Sequence, residues 1–104
     1  MDNPMTDQTD RVLVTLRAHE AELRRLGIRG LSVFGSVARG DAAADSDLDL
    51  AVELDPDARL GLFGLGALER RLTELVGRRV DVLAEPVERR RLRANIERDR
   101  RRAF

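Results

Sequence analysis

Hydrophobic residues recur along this chain at two periods, one helical and one of strand type. Val12, Leu16, His19, Leu23 and Leu26 fall at i, i+4, i+7, i+11 and i+14. That spacing predicts an amphipathic helix over residues 9–26, closed by Gly27. The sole histidine sits inside this stripe, where packing is a better reading than catalysis. "GLSVFG" (30–35) reads as a short buried strand bounded by glycines. "LDLAVEL" (48–54) alternates strictly and predicts a strand with Leu48, Leu50, Val52 and Leu54 on one face. Asp55-Pro56-Asp57 breaks it. Leu65, Leu68, Leu72 and Leu75 predict a helix over 62–76 ending at Gly77, with its start blurred by Gly61, Gly64 and Gly66. Those glycines are a flexible helix entry rather than a phosphate loop, since no strand leads into them as such motifs require. "RVDVLAE" (79–85) reads as a third strand, and Pro86 suits the first turn of a last helix with Leu92 and Ile96 as apolar contacts.

The element order is helix, strand, short turn or helix, strand, helix, strand, helix. It predicts one α/β (α+β) domain over residues 1–104: a small mixed sheet of about three strands flanked by helices. The polar start, residues 1–8, is expected to be poorly ordered, and residues 87–104 to form a basic C-terminal helix.

Acids and bases balance, 19 against 19, so no global charge argument favours nucleic acid or membrane. The distribution is uneven. Residues 41–57 hold seven acids and no base, whereas residues 86–104 hold eight arginines against three acids. Every base is arginine, which rules out lysine chemistry, and the absence of cysteine rules out disulfides and thiolate metal sites. No apolar run reaches the roughly 18 residues of a membrane span, and the start is unlike a signal peptide. The expected compartment is the cytoplasm.

The acids matter most where they meet the second strand. Residues i and i+2 of a strand share a face about 6.6 Å apart, so Asp47 and Asp49 project together, opposite Leu48 and Leu50. Taken alone, the triplet Asp47-Leu48-Asp49 reads first as a solvated strand edge. Neighbouring carboxylates also suit a hard divalent cation, and Mg²⁺ is commonly held by one or two carboxylates plus substrate phosphates. Upstream, Gly35-Ser36 closes a strand and enters "SVARG", a candidate short helix. A helix start offers free backbone N–H groups to a phosphate, although the same dipeptide serves as an ordinary turn with an N-cap serine. A phosphate seat and a dicarboxylate together make a site for a metal-bound triphosphate. Arg39 is open to two readings, a phosphate-neutralising cation or a salt bridge to a nearby Asp.

"GSVARGDAAADSDLDL" resembles the signature of the polymerase-β-type nucleotidyltransferase superfamily, Gly-Ser followed after ten residues by Asp-x-Asp. "GSxARG" and "SDLDL" are closely similar to the minimal nucleotidyltransferases, and the resemblance runs on to the basic terminal segment. It implies the minimal nucleotidyltransferase fold, with Gly35 and Ser36, supported by Arg39, on the triphosphate. It places Asp47 and Asp49 on the metals and makes Asp81 of "VDVL" the third carboxylate. Asp81 fits that role as an isolated acid opposite Val80 and Val82. The implied chemistry is Mg²⁺-dependent, with two ions, and moves AMP from ATP to a hydroxyl with release of pyrophosphate. Asp81 is the best candidate to help activate that hydroxyl. Such proteins are typically antitoxins paired with a HEPN-domain ribonuclease toxin, which implies a hetero-oligomer and a tyrosine acceptor on the toxin. No tyrosine occurs in these 104 residues, so a tyrosine acceptor must lie in trans.

A different class remains open: a non-catalytic antitoxin that neutralises by binding, with a vestigial nucleotide site. Intact carboxylates and Gly35-Ser36 weigh against it. Transfer to a small molecule would call for an additional substrate domain. The arginine-rich end can be a solvated face, a partner-docking surface helped by an exposed Phe104, or an RNA patch. With no Tyr or Trp for stacking, direct nucleic-acid binding is not expected.

Overall fold

The computed structural model describes residues 4–43, 46–58 and 60–104. A first helix, α1 (Pro4–Ala18), begins earlier than the hydrophobic stripe predicts and is followed by α2 (Glu20–Arg25). The expected single helix over 9–26 is therefore two. The break is His19, whose φ of −107° and ψ of 17° leave the helical region while its ring N–H donates to the Thr15 carbonyl at 2.9 Å. Val12, Leu16 and Leu23 are buried as the stripe predicts, but the break turns Leu26 out to 40% exposure.

The strands are β1 (Ile28–Phe34), β2 (Leu48–Leu54), β3 (Val80–Glu85) and β4 (Arg101–Arg102), in the order β3-β2-β1-β4. β1 runs antiparallel to β2 and β4, and β2 runs parallel to β3. A parallel pair needs a crossover, supplied by α4 (Gly61–Val76). The short helix α3 (Gly35–Arg39) links β1 to the loop before β2, and α5 (Arg90–Asp99) precedes β4.

The sheet is covered on both faces. Leu31, Val33, Leu48, Leu50, Val52 and Val80 join α1, α2 and α4 in the main core. On the opposite face Phe34, Ala51 and Ile96 form a second cluster, with Leu83, Val87 and Leu92 against it, so α5 lies on that side. This explains why β1 is almost wholly buried rather than alternating. The result is a mixed four-stranded α/β sheet flanked by helices, and no helix among the described residues is long and apolar enough to cross a membrane.

Three expectations need correction. Among the described residues the sheet has four strands, one more than expected. The basic segment expected as one helix over 87–104 is helical only from Arg90 to Asp99 and then returns as β4. Phe104 is not an exposed terminal aromatic: it packs on the main core, its carbonyl accepts the Leu31 N–H at 3.1 Å, and Arg24 stacks 5.1 Å from its ring centroid. In each case β1 has an open edge whose N–H and C=O groups the C-terminal residues satisfy.

Candidate active site

Pairing aligns the acids. Across the sheet, Phe34 faces Asp49 and Asp49 faces Asp81, forming a row on the side opposite the main core. Asp47 precedes the β2 ladder by one residue. Its neighbour Leu48 is fixed by donating its N–H to the Arg79 carbonyl at 2.9 Å, while Arg78 Nε donates to the Ser46 carbonyl at 3.1 Å. The three aspartates of the motif thus gather at one end of β2 and β3, with Asp47 and Asp81 exposed and Asp49 half-buried between them.

Gly35 closes the other side. Its φ of +75° is the left-handed region that side-chain-bearing residues avoid. A Cβ at this position would overlap the Asp49 carboxylate. The absent side chain therefore lets the start of α3 lie directly against Asp49, joining the two halves of the motif that the sequence separates.

The grouping shows in the electrostatics. Burial raises the Asp49 pKa above the ordinary carboxylate value, and the charges of Asp81 and then Asp47 raise it further, against a lowering by Arg39. Carboxylates gathered around a half-buried Asp49 form a place where a cation is stabilising. The donor set is oxygen only, which fits Mg²⁺ rather than a softer ion. Among the described residues no group of three or more acid, His or Cys side chains is placed to hold a metal ion as the side chains stand; Asp47 leans towards Arg79 at 4.0 Å.

Arg39 occupies the salt-bridge alternative. It pairs with Asp41 at 3.2 Å and with Asp99 at 2.9 Å. Asp99 is 4% exposed and also takes Arg98 Nε at 3.0 Å. On the other side of α3, buried Thr9 donates to the Val37 carbonyl. A five-residue helix with no side-chain cap is thus clamped from α1 and α5. Neither clamp residue stands out in the sequence reading. Thr9 could have done so, since it continues the Val12/Leu16 face one turn earlier; Asp99 carries no local signal.

The hydrogen bond from Arg98, followed by that from Arg39, holds the Asp99 carboxyl below its ordinary pKa. An acid depressed in the folded state stabilises above its unfolded pKa and loses that contribution as pH falls through the folded value. Asp99→Asn is therefore expected to lower Tm at pH 7 by about 4 °C, a small effect because both arginines are solvated. The difference should vanish in melts well below pH 3. A gap persisting there would point to lost packing instead.

Other acids lie apart. Glu53 shares the aspartates' face but sits at the far end of β2, 3.9 Å from Arg102, and Asp41 is exposed and paired with Arg39. Asp45, one of the seven acids of residues 41–57, lies outside the described residues. The apolar cleft of about 270 Å³ between α2 and α4, lined by Leu26, Leu60 and Leu68, is also remote from the carboxylates.

The nucleotidyltransferase domain family matches residues 16–104. A relative from Thermococcus cleftensis, named protein adenylyltransferase MntA, is 45% identical over 69 residues, covering 65% of this chain and 68% of that one. A solved structure described as that of a candidate minimal nucleotidyltransferase superposes with a TM-score of 0.66 at 39% identity, covering 86% of this chain and 93% of the other. A toxin–antitoxin crystal structure with AMP-PNP shares the fold at a TM-score of 0.61 and 20% identity, over 85% of this chain and 72% of that one.

Proposed function

The chain belongs to the nucleotidyltransferase domain family, and from that premise we propose that it moves AMP from ATP to a hydroxyl of a partner protein, as an antitoxin. The observation that carries this reading is the contact of Gly35 with Asp49, which sets a phosphate seat directly beside the row Asp49–Asp81. The name protein adenylyltransferase borne by a relative and the toxin–antitoxin structure with AMP-PNP support the choice of nucleotide and of a protein acceptor.

Gly35 and the Ser36 N–H and hydroxyl receive the triphosphate, and Arg39 adds positive charge at the end of the same short helix while tied to Asp41 and Asp99. Asp47, Asp49 and Asp81 would hold the Mg²⁺, two ions in all. When bound, Mg²⁺ neutralises the phosphates and acidifies the attacking hydroxyl. The hydroxyl oxygen forms a bond to the α-phosphorus and the bond to the β-phosphate oxygen breaks, so pyrophosphate leaves with the electron pair. Asp81, exposed at the outer end of the row, takes the hydroxyl proton. No protein nucleophile is required, in keeping with a chain that has neither cysteine nor lysine. The acceptor is a tyrosine of a HEPN-domain ribonuclease toxin, supplied in trans.

The test mixes the protein with a HEPN-domain protein, sought as the product of the neighbouring gene, labelled ATP and Mg²⁺. Partner mass should rise in whole AMP units, and the rise should disappear with Asp47→Asn or Asp81→Asn. Neutralising binding without any mass change would overturn transfer in favour of occlusion by binding alone.

A further inference from the structure

The arginine-rich end divides into two groups with different work. Arg98 binds Asp99 at 3.0 Å, Arg100 binds Glu85 at 2.7 Å, Arg101 binds Asp10 at 3.3 Å and Arg102 lies 3.9 Å from Glu53. Arg100 and Arg102 thereby reach β3 and β2, Arg101 ties β4 to α1, and Arg98 pairs within α5. Arg89, Arg90, Arg91 and Arg93 are all exposed and, among the described residues, have neither an ion pair nor a side-chain hydrogen bond.

Their placement runs against helix physics. α5 starts at Arg90 with no acid in its first turn and no side-chain cap. Cations at a helix N-terminus oppose the macrodipole, and each costs a few tenths of a kcal/mol or more. Among the described residues no ion pair to these four arginines offsets this, and Glu88 lies outside the helix, before its N-cap.

Location supplies a role. Ile96 of α5 is buried against Phe34 and Ala51. Phe34 pairs with Asp49, and Ala51 is two residues from it on the same face. α5 therefore lies on the carboxylate side of the sheet. A protein acceptor reaching the site must approach residues 41–57, with seven acids and no base, as well as a bound triphosphate. We propose that Arg89, Arg90, Arg91 and Arg93 form a docking surface for an acidic segment of the acceptor protein, a reading that rests on the transfer reaction proposed above. The cluster compensates the repulsion an acidic partner would meet at the acid-rich site and orients it from that side. A protein fits better than RNA. The exposed face offers no aromatic platform for bases, and exposed Glu88 and Glu97 flank the arginines, which suits a mixed protein rim and disfavours a continuous phosphate backbone.

The test reverses the patch with Arg89→Glu, Arg90→Glu, Arg91→Glu and Arg93→Glu together, with the four Gln substitutions as a milder variant. Kd for the HEPN-domain protein of the transfer assay should rise about 30-fold at low salt, less in the Gln variant, and its salt dependence should flatten. ATP affinity should not change, and Tm should hold or rise, because acids suit a helix N-terminus. Unchanged Kd overturns the proposal, as does a fall in Tm accompanied by lost ATP binding, or arginine-dependent affinity for a single-stranded oligouridine probe but not for the protein. The two readings separate cleanly. Arginine-dependent binding without AMP transfer defeats the reaction and leaves the docking surface, whereas wild-type transfer kinetics in the reversed variant defeat the docking surface alone.

Discussion

Asp49→Asn is expected to lower AMP transfer by about 10³-fold, roughly 4 kcal/mol of barrier, while making the metal-free protein more stable at neutral pH. The loss follows from position, since Asp49 is the middle member of the carboxylate group and lines the Gly35 contact. The gain follows from linkage. Burial, then Asp81 and Asp47, raise the Asp49 pKa in the folded state. An acid whose folded pKa lies above its unfolded one, ordinarily near 3.9, binds its proton more tightly when folded. Its contribution therefore favours folding at low pH and turns against it as pH rises through the folded value. Above that window the ionised carboxylate is a cost that asparagine removes. Thermal melts without metal should place the variant above wild type at pH 7 and level with it near pH 3. Mg²⁺ with ATP should raise the wild-type Tm and leave the variant unmoved. A variant less stable than wild type at pH 7 would show that Asp49 supports the fold rather than straining it.

The second large effect concerns Gly35. Gly35→Ala combines two costs, a left-handed φ of +75° and the overlap of a Cβ with the Asp49 carboxylate. The first is about 1–2 kcal/mol for a residue with a side chain. Gly77 gives an internal control, with a φ of +71° and nothing within 4 Å of the place its Cβ would take. Gly77→Ala should carry the conformational cost alone, a Tm drop of about 4–16 °C, with transfer intact. Gly35→Ala should fall further and lose at least about 10²-fold in transfer, because a misplacement of about 1 Å at a reacting site costs that much. Equal Tm losses with equal activities for the two variants would mean that Asp49 simply moves aside.

The extent to which these features are legible in sequence depends on how far apart the interacting residues lie. β2 is legible with its final boundaries because strict alternation is a property of seven consecutive residues. "GSVAR" points to α3, and the leucine spacing of α4 marks Leu68 and Leu72, both buried. The single long first helix fails at His19, where a local backbone departure interrupts a stripe that periodicity alone carries straight through. The C-terminal arginines read as one basic helix because their acidic partners Asp10, Glu53 and Glu85 lie elsewhere in the chain.

By itself the sequence determined the family, the three longer strands and the residues of the motif, since each is written in short-range spacing: alternation along a strand, two carboxylates two apart where β2 begins, and a glycine-serine pair entering a helix. Only the tertiary structure decided that Asp81 stands in register with Asp49, that Gly35 must lack a side chain because Asp49 fills the space, and that α3 is clamped by Thr9 and Asp99. It also decided which arginines are spent inside the fold and which remain exposed. The reason is common to all four. Strand register, close approach and ion pairing join residues distant in the chain, and their energies depend on separations of a few ångströms that no local pattern encodes.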